Sequence, residues 1–165
     1  YEISLGLVGS EMCIRDRAKF IGVKMIEAVP MRASMALSAG YKIGNAHPDD
    51  MGYEVTYPDG YKSWSPAKEF EKAYYKLEDP AGDVLKENDI KRFIKDIENV
   101  KVGTKTTNTT LTCLTGFEVH GQAACVKPEN FDLNVGSNYA RIKAEDKIWE
   151  GLGFVLQWAK YGLKK

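Results

Sequence analysis

The chain is poor in the residues that usually announce a chemistry. It has three cysteines and two histidines in 165 residues, and its 23 Lys+Arg balance 23 Asp+Glu to a formal net charge of zero. A neutral balance argues against a broadly electrostatic duplex-binding surface, while leaving room for a local patch. Cysteines this sparse form no disulfide framework, so reduced cytosolic thiols are expected. No apolar run approaches a membrane span and no signal peptide is visible, so no membrane partner is expected. A Gly-rich phosphate loop of the usual spacing is missing, and no Ser/His/Asp or Cys/His set can be assigned roles. There is no internal repeat and no low-complexity tract. Catalytic residues, metal ligands and cofactors are therefore all expected to be none.

Residues 1–17, Tyr-Glu-Ile-Ser-Leu-Gly-Leu-Val-Gly-Ser-Glu-Met-Cys-Ile-Arg-Asp-Arg, could pass by composition for a strand and a turn. The same string is what a transposase-type sequencing adaptor translates to, with a variable index supplying Ser4, Leu5 and parts of the neighbouring codons. Residues 1–17 are therefore expected to be an adaptor-derived artefact, with the natural chain starting near Ala18 and its true beginning missing. Setting them aside removes Arg15 and Arg17 against Glu2, Glu11 and Asp16, and leaves 21 basic and 20 acidic residues. Of the cysteines, Cys113 and Cys125 remain.

With 44% apolar residues, the rest suits one domain or two very small ones. The pattern predicts an α+β protein of two small modules, residues 18–79 and 80–165. Each is a β-hairpin or small antiparallel sheet packed against helix. In the first, residues 19–31 read as a strand ending near Pro30, and residues 32–39 as a short helical turn closed by Gly40. A loop follows to Gly52. Then Tyr53, Val55 and Tyr57 alternate with Glu54 and Thr56, Pro58-Asp59-Gly60 turns, and Tyr61-Lys62-Ser63-Trp64 returns. Ser65-Pro66 starts a helix on which Phe70, Ala73 and Tyr74 share a face. Asp79-Pro80-Ala81-Gly82 is the linker.

In the second module, residues 84–100 read as an amphipathic helix with a stripe of Leu85, Ile90, Phe93, Ile94 and Ile97. Residues 103–108 are a polar connector. A hairpin turning at Thr115-Gly116 then sets Leu114 against Phe117 and Thr112 against Val119, with Cys113, Glu118 and His120 on the opposite face. Asp132 caps a helix running to about Trp149, with Val135, Tyr139, Ile142 and Ile148 inward. Gly151-Leu152-Gly153 is expected to break that helix, leaving a last turn or two over residues 154–161.

Two motifs invite a metal. Ala46-His47-Pro48-Asp49-Asp50 resembles the zinc motif of the sugar N-deacetylase family, in which the His and second Asp bind zinc and the first Asp is the base. The lead-in, Tyr41-Lys42-Ile43-Gly44-Asn45, is no buried strand, and Met51 stands where that family has Glu, so a capped surface turn is expected instead. Cys113, His120 and Cys125 lack the close-spaced pair of a structural zinc site and read as small buried side chains. The cluster Tyr53, Tyr57, Tyr61 and Trp64 has two readings, a stacking surface for bases or the core of a small module.

Two longer stretches carry a resemblance. The run from Gly52 to Tyr74, with its Gly-Tyr-x-Val-x-Tyr-Pro-Asp-Gly-Tyr-x-Ser-Trp-Ser-Pro core and preceded by Lys19-Phe20-Ile21-Gly22, resembles a module that recurs in tailed-phage and prophage proteins. The run from Leu111 through Gly116-Phe117-Glu118-Val119, Gly121, Ala124-Cys125-Val126, Pro128 and Asn130-Phe131-Asp132 to Gly136, Ala140-Arg141, Ala144 and Lys147-Ile148-Trp149 is similar to a second family. This is a phage protein family of unknown function, typified by small accessory proteins of the N-four and Sf-six phages. It departs from that pattern at Cys113-Leu114-Thr115 and Tyr139. The resemblance implies a phage gene product made in the host bacterial cytoplasm and supplies no catalytic residues.

The expected function is a non-enzymatic binding protein acting on a host protein or a small nucleotide-like ligand, with a counter-defence role. Tyr53, Tyr57, Tyr61, Trp64, Arg141 and Lys147 are its candidate ligand-binding residues. Two alternatives stand beside it. One is a nucleic-acid-binding accessory protein that uses Lys62, Arg141, Lys143 and Lys147 for phosphates and Trp64 for stacking. The other is a metal-dependent hydrolase built on His47, Asp49 and Asp50. A homo-oligomer is compatible with all three.

Overall fold

Residues 17–165 are described by the computed structural model, and the stretch 1–17 expected to be adaptor-derived lies, but for Arg17, outside the described residues. Two three-stranded antiparallel sheets organise the chain, and each takes its helices on the faces its side-chain alternation makes apolar. The fold is α+β.

The first sheet has the order β1 (Glu27–Arg32), β2 (Met51–Thr56), β3 (Lys62–Pro66). The strand expected over residues 19–31 is thus shorter and shifted. It runs past Pro30, which is tolerated because β1 is an edge strand and has no second partner to receive an N–H. Between β2 and β3 the chain turns on Pro58-Asp59-Gly60. Tyr57 N donates to Tyr61 O at 2.9 Å, Gly60 takes a φ of 85°, and the Asp59 carboxylate accepts from Tyr61 N at 3.0 Å. Helix α1 (Ala33–Ser38) covers one face, and Gly40, at φ 89°, ends it as the sequence predicts. On that face the Trp64 indole lies across Gly52, is 7% exposed, and donates from Nε1 to Met31 O at 2.9 Å. Ala33, Ala36, Tyr41, Ile43 and Ala46 close round it. Helix α2 (Ala67–Ala73) lies against the other face, where Tyr53 stacks on Phe70 with ring centroids 4.2 Å apart.

The linker is a turn wound on one side chain, since Asp79 accepts from Ala81 N, Asp83 N and Val84 N. Just beyond it, α3 (Glu87–Phe93) buries Asp89 completely. Its carboxylate accepts from Glu78 N at 2.9 Å, Lys86 N at 2.9 Å and Arg92 Nη2 at 2.7 Å, and Tyr75 OH donates to its backbone carbonyl at 2.8 Å. Tyr75 meets Phe93 edge-on and lies under the Arg92 guanidinium. Residues 75–78 are therefore bonded into the second module.

The predicted helix over 84–100 is only this short α3. From Ile94 the chain continues as β4 (Ile94–Val102), in the order β4, β5 (Thr106–Cys113), β6 (Glu118–Ala124). Ile94, Ile97, Val100 and Val102 are β-branched. The Thr-rich strand beside them, which a helical reading of 84–100 ignores, supplies the ladder that decides the matter. The β5–β6 turn is also corrected. Cys113 N donates to Phe117 O at 2.9 Å round a three-residue loop, Leu114-Thr115-Gly116, with Gly116 at φ 84°. One extra loop residue slips the register by one, so Leu111 faces Val119 and Thr112 faces Glu118. Cys113 then joins Leu111 and Val119 in the core, and Leu114 and Phe117 are exposed.

Helix α4 (Leu133–Tyr161) lies on β5 and β6, its N-terminus capped as expected by Asp132, whose side chain accepts from Asn134 N and Val135 N. Its buried face is not the predicted one. Val135, Tyr139 and Ile142 are 54%, 63% and 57% exposed, and of the four expected inward residues only Ile148 is buried. The seated face is Gly136, Ala140, Ala144 and Ile148. A Cβ on Gly121 would overlap the Ala140 carbonyl oxygen, and one on Gly136 would overlap the Thr107 hydroxyl, so the helix backbone rests directly on the strands. Ile90, Cys113 and Leu111 fill the rest of the core, with Trp149 and Leu152 packed at its edge.

Nor does α4 break at Gly151-Leu152-Gly153. Glycine costs a helix interior about 1 kcal/mol relative to alanine, a penalty without a stop geometry, and the stop comes only at Gly162 with φ 67°. Gly151 has open space where a Cβ would stand. Gly151→Ala is therefore expected to raise stability by about 1 kcal/mol in urea titrations. A loss of stability would mean that the backbone at 151 is not helical.

Candidate functional site

Because α4 runs on to Tyr161, its last turns reach a place that a helix ending at Trp149 would leave bare. Trp158, Ala159 and Gly162 form one side of an open cleft of about 510 Å³. Tyr57, Pro58, Asp59 and Tyr61 of the β2–β3 turn form another, and Val23, Lys24 and Met25 a third. The volume falls in the range of small-molecule sites, about 300–1,000 Å³. Tyr57 and Tyr61 stand at the two ends of the turn with ring centroids 5.8 Å apart and tilted. Lys24 Nζ is 5.5 Å from the centre of the Tyr57 ring, within reach of its negative face. Phe154 meets Trp158 edge-on from one helical turn away. The Asp83 carboxylate pairs with Lys160 beside the cleft.

The six candidate residues do not come together. Tyr57 and Tyr61 line the cleft. Tyr53 is spent on Phe70 and on a 2.9 Å hydrogen bond from its hydroxyl to Glu71, which raises the phenol's pKa above its usual value, with burial adding to the shift. Tyr74 beyond it is also raised, by burial first and then by Tyr57. Trp64 faces the opposite way, into the α1 core, with neither ring face open to stack a base. That corrects its reading as a ligand platform. Arg141 Nε donates to Glu145 at 2.6 Å, one turn along α4, and Lys147 Nζ donates to His120 O at 2.5 Å.

Trp158 and Lys24 were missed by the sequence reading. The available signal for Trp158 was the spacing Phe154, Trp158, Tyr161, which puts three aromatics on one helical face once the glycines are allowed to remain helical. For Lys24 no signal is evident, since an extended segment fixes no face.

Elsewhere, His47-Pro48-Asp49-Asp50 is an exposed turn in which the Asp50 carboxylate accepts from His47 N at 2.7 Å and Asp50 N donates to His47 O. Cys113 and His120 lie on opposite faces of the second sheet, Cys113 facing the core and His120 solvent. Among the described residues no group of three or more His, Cys, Asp or Glu side chains is placed to hold a metal ion. No described helix is long and apolar enough to cross a membrane. In the cleft, the arrangement offers two flat phenol faces, an indole, one ammonium and the Asp59 carboxylate, which accepts from Tyr61 N. Flat aromatic faces and an ammonium are groups suited to a planar ring with a negative substituent.

Residues 85–159, from the start of α3 nearly to the end of α4, match the family described as phage protein (N4 Gp49/phage Sf6 gene 66). The second sheet lies wholly inside that span. Comparison with curated proteins and with solved structures gives no match.

Proposed function

We propose that this chain is a phage-encoded, non-enzymatic binding protein whose ligand is small and nucleotide-like. In the infected cell it would act by occupying that ligand, as a counter-defence protein does when it withholds a signal from its host receptor. The observation that carries the reading is the cleft itself. Tyr57, Tyr61 and Trp158 line an open space of about 510 Å³, and among the described residues lining it Lys24 is the cation, set against the single carboxylate of Asp59. Base–aromatic stacking contributes about 1–3 kcal/mol per base, enough to hold a mononucleotide when joined to a phosphate–ammonium pair. The phage family matched by residues 85–159 fits a product made during infection.

Calorimetric titration with mononucleotides and cyclic nucleotides tests the proposal. Tyr61 is 65% exposed, so Tyr61→Ala should spare the melting temperature. It should weaken binding by about 1–3 kcal/mol. Lys24→Ala should weaken nucleotides and leave the matching nucleosides unchanged. If the parent protein takes up none of these compounds, the cleft is not a nucleotide site.

A further inference from the structure

The cleft is one end of a longer feature. Along α4, Lys143, Lys147, Phe154, Trp158 and Tyr161 recur at spacings of four, seven, four and three, which keeps them on a single face. Phe154 and Tyr161 are 70% and 60% exposed. The two lysines are not free arms. Lys143 Nζ donates to Gln122 O at 2.9 Å and Lys147 Nζ to His120 O at 2.5 Å, along the outer edge of β6. Each ammonium spends one of its three donors on this tether and keeps two, so the positive charges are held in place beside the strand edge with capacity to spare. The face thus begins with two positioned cations, continues with exposed aromatic rings, and ends in the cleft with Tyr57, Tyr61 and Lys24. It is about 27 Å long. Glu150, exposed and between Lys147 and Phe154, is the acidic residue of the helical stripe, and Asp59 adds a second carboxylate in the lining of the cleft.

We infer that this face is a track for a short single strand of nucleic acid of about four nucleotides, with the terminal nucleotide seated in the cleft. Cations for the backbone followed by flat faces for unstacked bases are what a single strand requires. A duplex hides its ring faces, and the chain's neutral charge gives a duplex no broad field to bind. The inference rests on the cleft accepting a nucleotide. It also replaces the predicted nucleic-acid set, since Trp64 is buried, Lys62 is paired with Glu54 and Arg141 with Glu145, while Lys143 and Lys147 remain.

The test uses deoxyadenylate oligomers of one to eight nucleotides, titrated against the full chain by fluorescence anisotropy or calorimetry. Affinity should rise at least tenfold from one nucleotide to four and then level off. The double change Lys143→Ala with Lys147→Ala should weaken the tetramer and leave the mononucleotide unaffected. Each lysine removed should flatten the slope of log K against log salt by about 0.7. Glu150→Gln should tighten the tetramer alone, a gain that a merely structural role for this face would not produce. Melting curves of each variant keep loss of fold apart from loss of binding. Mononucleotide binding that does not improve with length overturns the track and leaves the cleft reading standing. Binding of neither overturns both. Equal affinity for duplex and single strand also overturns the track.

Discussion

A β-branched side chain at position 121 is expected to unseat α4 and with it the second sheet. Gly121 lies on the inward face of β6, and the atoms a Cβ would strike are the Ala140 carbonyl oxygen and the Ala144 amide nitrogen. Both belong to the helix backbone, so no side chain can swing aside to make room. The helix must lift or the strand must leave the ladder. Either move opens the contact that buries Ala144 and Ile148 against Leu111 and Val119, and uncovers Ala140 above Gly121. Overpacking a well-filled core costs about 1–3 kcal/mol when side chains can adjust. Here they cannot, so Gly121→Val should lie at the top of that range or beyond it. Urea denaturation followed by circular dichroism measures the effect. A variant as stable as the parent would mean that α4 does not rest on β6 as described.

The second large effect belongs to Trp64. Its indole covers Gly52, touches Ala33 and Ala36, and makes a hydrogen bond to the Met31 carbonyl, thereby joining all three strands of the first sheet to α1. Removing a buried indole costs about 3–5 kcal/mol. In a module with so few buried side chains, Trp64→Ala should abolish the cooperative melt of residues 27–74. Trp64→Phe keeps most of the ring and loses the Nε1 donor, so it should retain the fold at reduced stability. Nucleotide titration of Trp64→Phe should match the parent, because the cleft contains Tyr57, Tyr61 and Trp158 but not Trp64. If Trp64→Ala melts with the parent, the indole is not the anchor of this sheet.

Where local chemistry dictated local geometry, the sequence was legible. Pro58-Asp59-Gly60 carries its own turn, Gly40 its own helix stop, and Asp132 its own cap, and all three stand where expected. Reading failed where a distant partner decided. Ile90, Phe93, Ile94 and Ile97 fit a helical period, and only the threonine ladder of β5 makes the last two a strand. The face of α4 was misread for a related reason. Apolarity favoured Val135, Tyr139 and Ile142, but Gly121 admits only a helix surface without bulk, which selects Ala140 and Ala144, and Thr107 does the same for Gly136. The site was half legible. Tyr57 and Tyr61 flank a recognisable turn, whereas Trp158 depends on a helix that persists through two glycines.

The knot round Asp89 bears on how this gene can be cut and rejoined. The phage-family match begins at residue 85, yet the buried carboxylate just inside it is answered from Glu78, and Tyr75 answers the carbonyl behind it. A splice at Val84 would carry α3 into a new chain with a buried charge short of a backbone donor. A splice at Tyr74 would carry the whole knot. Recombination that preserves function should therefore leave its scars upstream of Tyr75, and a foreign leader joined any later must bring its own donor to Asp89. The hydrogen-bonded unit round Asp89 reaches back to Tyr75, ahead of the stretch that matches the family.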